Sequence, residues 1–379
     1  MEPTRRGMLS YLVGSGALLS TEGSALASPA ADEHVGVLQR LLQRNHGLRP
    51  EYGPGYSNHV SMGLFALTAL GGSARQLTAF ADASWSPLEP VPKEAGPAVT
   101  RESFPSLLGQ RTALNGYRRL FTQEVSQLGR TATLERYLPR LLPGLGAAAF
   151  HPLIRTGYGV RFGDDREVSD GLAYWATAYL PLGELGAAGA EPAPSVLLAQ
   201  LRAARTGKSD DAEAGLILER MRNASHVPQF APTVAALQPR EDTLRRLASV
   251  ALELYTVTGG NFIALHAVTG THALRMLWPH LPQKELAARY LWQALVAAYL
   301  TVGTPALSSA APSSAGRGLA STPRPATPGH VPDWSQIVAK AVGSTDPHDL
   351  KLVDVAREES TFYQEPGYRQ AAALRLRLI

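Results

Sequence analysis

Five of the ten histidines stand where an imidazole is hard to accommodate. His59 opens "SNHVSMGLFALTAL", and His151 lies between Phe150 and Pro152 in "LGAAAFHPLIRTGYGV". His266 and His272 share "NFIALHAVTGTHALRML", which contains no Asp, Glu or Lys, and His348 precedes Lys351 by three positions in "DPHDLKLVDV". In a helical core the backbone carbonyls are already used, so a buried ring N–H finds few free acceptors. One such residue is ordinarily a hydrogen-bonded core histidine. Five together point instead to a shared metal ion, which satisfies several ring nitrogens at once. Four others read as surface groups, His34 at a helix entrance and His226, His280 and His330 beside prolines in polar turns, while His46 stands at a helix end, where an imidazolium suits the dipole.

The chain has no cysteine, so any metal is held by nitrogen and oxygen. Spacing then ranks the candidates. His266 and His272 are six residues apart, roughly 120° around a straight helix, and do not meet at one ion unless Thr269-Gly270 breaks the helix. His266 is the better ligand, and His272 is a fourth ligand or a partner of one. His348 and Lys351 are three apart and share a helix face. A lone lysine there reads as a surface side chain that snorkels. Beside His348 it is a candidate for the site.

The elements that must position these residues are helices. "HVGVLQRLLQRN", "HVSMGLFALTAL", "GLAYWATAYLPL", "PSVLLAQLRAAR", "DTLRRLASVALELYTVTG", "QKELAARYLWQALVAAYLTVG", "DWSQIVAKAVG" and "PHDLKLVDVAREE" all space apolar residues by three and four, and alternating strand patterns are scarce. The expectation is an all-α fold: one multi-helix domain over 32–379, interrupted at 305–332 by a Ser/Ala/Pro-rich flexible loop. Residues 1–31 form a leader or a twin-arginine export signal, built on Arg5-Arg6, an apolar stretch and an Ala25-Leu26-Ala27 end, so the protein is expected in the cytoplasm or exported. No apolar run reaches the roughly 20 residues that span a bilayer. The 36 basic and 32 acidic residues are interleaved, which argues against nucleic acid as a partner.

Five segments, "SNHVSMGLFALTALGGSARQL", "AAAFHPLIRTGYGVRF", "GLAYWATAYLPLG", "NFIALHAVTGTHALRML" and "DPHDLKLVDVAREE", resemble in order those of the questin oxidase-like family, whose members open an anthraquinone ring in aromatic polyketide biosynthesis. The resemblance implies an all-helical oxidase that uses O2 and holds a non-haem Fe(II) through four histidines and a lysine carboxylated on its amine. Carried over by position, the ligands are His59, His151, His266, either His272 or His348, and Lys351 as a CO2-derived carbamate. Burial disfavours an ammonium, and a neutral amine reacts with CO2 to give an anionic oxygen donor.

The expected reaction is oxidative ring opening, Baeyer–Villiger-like or by C–C cleavage, of an anthraquinone-type aromatic polyketide. The family includes both NADPH-requiring oxidases and iron dioxygenases. No Gly-x-Gly-x-x-Gly follows a strand here, so NADPH enters only as an external reductant. Arg155, one turn beyond His151, is expected to pair with a phenolate or developing oxyanion, its plainer role being a donor to carbonyls. Phe150, Tyr158, Tyr174 and Trp175 are expected to wall an apolar substrate cavity. Two competing readings are a metal-dependent hydrolase, against which a site of four histidines and a carbamate leaves little room for a reactive water, and a non-enzymatic helical carrier of an apolar polyketide.

Overall fold

The computed structural model describes residues 29–308 and 331–379, with residues 95, 192 and 206–214 excepted. Residues 1–28 of the expected leader, most of the Ser/Ala/Pro-rich stretch and His330 lie outside the described residues, while residues 29–31, expected to close the leader, instead begin the first helix. Sixteen α-helices succeed one another: α1 (Pro29–Asn45), α2 (Val60–Ala69), α3 (Ala74–Ser84), α4 (Leu114–Leu128), α5 (Arg130–Leu141), α6 (His151–Phe162), α7 (Asp165–Thr177), α8 (Pro194–Ala204), α9 (Ile217–Ser225), α10 (Phe230–Ala236), α11 (Thr243–Val257), α12 (Phe262–Leu277), α13 (Lys284–Thr301), α14 (Trp334–Ala341), α15 (Pro347–Tyr363) and α16 (Gly367–Arg375). The strands among the described residues are one short antiparallel hairpin, Glu51–Tyr52 with Tyr56–Ser57. The fold is all-α, as the periodicity leads one to expect. One boundary differs: "GLAYWATAYLPL" leaves the helix after Thr177, because Pro181 brings no amide donor and disfavours helical backbone in the residue before it.

Four of these helices close on one another. Helix α6 packs on α12, α12 on α15, α15 on α2, and α2 back on α6, while α7 covers the outer side of α6. The members are buried almost all round: Val60–Thr68 of α2, His151–Gly159 of α6 and Ile263–Leu274 of α12 carry no exposed residue. A helix apolar on every side belongs in the middle of a large core, and that core runs continuously from α1 to the C-terminal helix. Polar side chains fix where the site helices begin. Asn261 accepts from the amides of Ile263 and Ala264 to start α12, and Asp346 accepts from the His348 amide, with Pro347 in the first turn, to start α15.

Small residues set how closely the quartet approaches. A Cβ placed on Gly157 would meet the Cβ of Ala273 on α12 at 3.0 Å, and one on Gly171 would lie 2.5 Å from Thr156 Oγ1 and 2.9 Å from Thr156 N. The second contact involves backbone, so α6 and α7 touch there without side chains between them. Gly171→Ala forces them apart and is expected to cost about 1–3 kcal/mol. The urea midpoint should therefore fall at an unchanged m-value, although an alanine in an unobstructed helix would raise it.

Candidate metal centre

Each helix of the quartet brings one histidine from its first turn or two. His59 caps α2, His151 opens α6, His266 lies one turn into α12, and His348 follows Pro347 in α15. One ring nitrogen from each lies within 4.8 Å of one from every other. The Nε2 atoms of His59 and His151 are 2.9 Å apart, and those of His151 and His266 are 3.1 Å apart. The His348 ring stands 4.5 Å from that of His59 and 5.2 Å from that of His266, between centroids.

The other nitrogen of every ring is already committed. Nδ1 lies 2.8 Å from the Ser57 carbonyl in His59, 2.5 Å from the Ala148 carbonyl in His151, 2.7 Å from the Phe262 carbonyl in His266, and 2.9 Å from Asp346 Oδ1 in His348. These oxygens accept, so each Nδ1 donates and carries the ring proton. Four Nε2 lone pairs are thereby turned towards one point. Protonating the rings does not relieve this. Burial holds His266 down at about 3, and burial with mutual repulsion among these rings and Lys351 holds His59, His151 and His348 well below the usual imidazole range. Neutral imidazoles whose lone pairs meet at 2.9–3.1 Å call for a cation. Two nitrogens at right angles on a first-row metal, each about 2.1 Å from it, stand about 3 Å apart.

Lys351 lies on the next turn of α15, near enough to act on all four rings. It is wholly buried, its Nζ has no hydrogen-bond partner, and the Nε2 of His348 is likewise buried without one. Burial lowers the Lys351 amine from 10.5 to about 7, so it sheds its proton far more readily than a surface lysine. The donor set, four neutral imidazoles with a buried amine that readily loses its proton, two of their nitrogens being orphaned, fits a transition metal.

His272 is not brought to this cluster. Helix α12 runs unbroken through Thr269-Gly270, so His272 stays on another face from His266; Phe150 packs against Gly270 with no room for a Cβ. Its Nδ1 lies 2.5 Å from Glu359 Oε1, in a network with Glu358 and Arg275. Arg155 is also engaged elsewhere: its guanidinium donates to both oxygens of Glu167, at 2.8 and 2.9 Å, and to Asp170 at 3.2 Å. It faces an ion network rather than a substrate. Nor do the four expected walls present a free surface. Phe150 and Trp175 are wholly buried, and the polar ends of Tyr158, Tyr174 and Trp175 bond to Asp354, Ser57 and the Gly144 carbonyl. Of these bonds, Tyr158 to Asp354 ties α6 to α15. His46 is buried, with Nδ1 2.7 Å from Asp170.

Two neighbours of the cluster escape the sequence reading. Asp346 is the only carboxylate among the four Nδ1 acceptors, and its place as helix cap two residues before His348 was the available signal. Phe262 contacts the rings of both His266 and His348, and its spacing of four from His266 was the corresponding signal.

The family described as Questin oxidase-like matches residues 56–355. Among curated proteins, the chain is 26% identical over 189 residues to the Baeyer-Villiger oxidase notM of Aspergillus sp. (strain MF297-2), a match covering 45% of this chain and 42% of that protein. It is 27% identical over 155 residues to the questin oxidase of Aspergillus fumigatus, covering 38% and 35%. It is 27% identical over 154 residues to the Baeyer-Villiger oxidase AgnL3 of Paecilomyces divaricatus, covering 36% and 33%. The chain thus spans less than half the length of the curated relatives it matches.

The buried amine gives the site a pH signature that can be read without a metal. Between about pH 7 and the ordinary lysine value of 10.5, the unfolded chain binds a proton that the folded chain has released, so Lys351 makes stability rise with pH. Below pH 7 the amine is protonated in both states and the burial penalty is complete. Chelator-treated Lys351→Met should therefore be more stable than chelator-treated wild type by about 4 kcal/mol at pH 6, and the gap should close towards pH 10.5. Urea unfolding of both proteins at pH 6, 8 and 10 measures it; a gap independent of pH would show that the amine is not held in this way.

Proposed function

The chain belongs to the questin oxidase-like family, and on that premise we propose that it is an O2-dependent oxidoreductase that opens a ring of an anthraquinone-type aromatic polyketide, using Fe(II) held by His59, His151, His266, His348 and Lys351. The observation that carries this reading is the convergence of four Nδ1-anchored imidazoles, with an unpartnered buried amine one turn beyond His348. The printed activities of the relatives, questin oxidase and Baeyer-Villiger oxidase, support the oxidative class.

When bound, Fe(II) supplies the electrons that let triplet O2 react with a closed-shell aromatic ring. The chain's own residues prepare for that. The Ser57, Ala148 and Phe262 carbonyls and Asp346 fix the tautomer and direction of each imidazole, so the four donors need no reorganisation. Lys351, as a neutral amine, adds to CO2 with loss of one proton and becomes an anionic carbamate, the oxygen donor that the four neutral rings lack. The core behind His266 and Lys351 shields that side of the cluster from solvent, which limits side reactions of reduced oxygen there. If one oxygen atom enters the ring and the other leaves as water, two electrons come from an external donor, for which NADPH is the candidate; delivery of both atoms to the ring needs none.

Protein purified anaerobically should contain near-stoichiometric iron by elemental mass spectrometry, and His266→Ala should lose it. Incubation of the loaded enzyme with emodin under air, with and without NADPH, should give a ring-opened product carrying one or two added oxygen atoms by mass. Stoichiometric zinc without oxidation would favour the hydrolase, and an intact metal-free protein would return the histidines to the core. Asp346→Asn keeps a helix cap but removes the charge behind His348, and should weaken metal affinity by about 10- to 100-fold in chelator competition.

A further inference from the structure

The cluster has a closed side and an open one. His266 and Lys351 are wholly buried and His151 nearly so, whereas His59 and His348 are only partly covered. The centre is therefore reached past His59 and His348. On that side stands Phe262, with its ring centroid 4.5 Å from that of His348 and 4.7 Å from that of His266, yet it is 44% exposed. Its ring meets two of the four histidine rings of the cluster, His266 and His348. The four aromatic residues expected from the sequence to wall the site are packed away from solvent.

That exposure is unusual for its place. The next twelve residues of α12, Ile263 to Leu274, are all buried. The spacing of four accounts for the contact with His266, but leaving a phenyl ring open forgoes the stabilisation its burial would bring. Its position is also fixed: Asn261 caps the helix immediately before it, and the carbonyl of Phe262 itself accepts from His266 Nδ1. The residue is thus held in register with a candidate metal ligand while 44% of its surface stays exposed.

We propose that Phe262 is the substrate-contacting platform of the centre, on which a flat polycyclic aromatic molecule lies by offset stacking with its reacting ring beside the histidines. This rests on the ring-opening reading above and adds to it the direction of approach and a specificity-determining side chain. Stacking of two aromatic faces, with the apolar area it removes from water, supplies binding that an aliphatic residue there would not reproduce.

Emodin binding, followed by its visible absorbance, tests this in wild type, Phe262→Ala and Phe262→Trp, with metal content measured on each. Affinity should fall about tenfold in Phe262→Ala and stay within about threefold of wild type in Phe262→Trp, with equal metal in all three. Equal emodin affinity in wild type and Phe262→Ala would overturn the proposal, and so would loss of metal from Phe262→Ala, which would make the ring a structural cover. Failure of the wild type to bind emodin would instead strike the ring-opening reading, and the platform with it.

Discussion

Four neutral imidazoles, each with its proton already given to an oxygen, are held with their lone pairs turned on one another. That arrangement is costly in a dry core, where unpaired polar atoms keep their full desolvation penalty. It persists because the anchoring acceptors belong to rigid pieces of the fold: two carbonyls just before α2 and α6, a first-turn carbonyl of α12, and the cap of α15. The closed quartet of helices is what places four such acceptors around one point. A cation at that point would convert an unfavourable meeting of lone pairs into a local attraction, which is why the surrounding helices read as support for it.

Two ionic networks hold the quartet from outside. On one side His46, Arg118 and Arg155 face Glu167 and Asp170, joining the end of α1 to α4, α6 and α7. On the other, His272, Arg275 and Arg161 face Asp354, Glu358 and Glu359, joining α12 and α6 to α15. Each also groups a histidine with two carboxylates at ligand-like distances. Their carboxylates, however, are directly engaged by guanidinium groups, whereas in the four-histidine cluster the one guanidinium seen, Arg375, binds Asp346 at the edge rather than the rings. Buried pairs of this kind add little net stability, but removing one partner leaves an uncompensated charge, so they fix helix orientation strongly.

Much of this was legible in the sequence because apolar neighbours advertise a buried polar residue. His59, His151, His266 and His348 each sit among such neighbours, and the spacing of three between His348 and Lys351 put both on one face of a real helix. What could not be read was long-range partnership. His46 resembles a helix-end residue until Asp170, 124 positions away, is folded against it, and His272 resembles a ligand until Glu359 arrives 87 positions later. Arg155 failed for the same reason at shorter range, its acceptors lying on the next helix. Aromatic residues posed a different difficulty: composition does not distinguish a ring that lines a cavity from one that fills it. The buried tyrosines and Trp175 fill, and only coordinates reveal that Phe262 is left open.

The entrance to α6 shows how far the fold goes to aim one ring. Ala148, Ala149 and Phe150 are consecutive left-handed residues, with φ of 43°, 55° and 67°, and none is glycine. Each such residue costs about 1–2 kcal/mol, so the turn stores strain comparable to several hydrogen bonds. It survives because its surroundings leave it no alternative. The Ala148 carbonyl receives the His151 ring proton, all three residues are buried, and the Phe150 ring occupies the space that a Cβ on Gly270 would need. The same Phe150–Gly270 contact packs α12 beside the turn, so strain that points His151 into the cluster and packing that keeps His266 opposite it are one interaction seen from two helices. Glycine in the turn would relieve the backbone but also release the direction of the ring, and a donor set whose nitrogens must meet within about 3 Å depends on direction more than on ease.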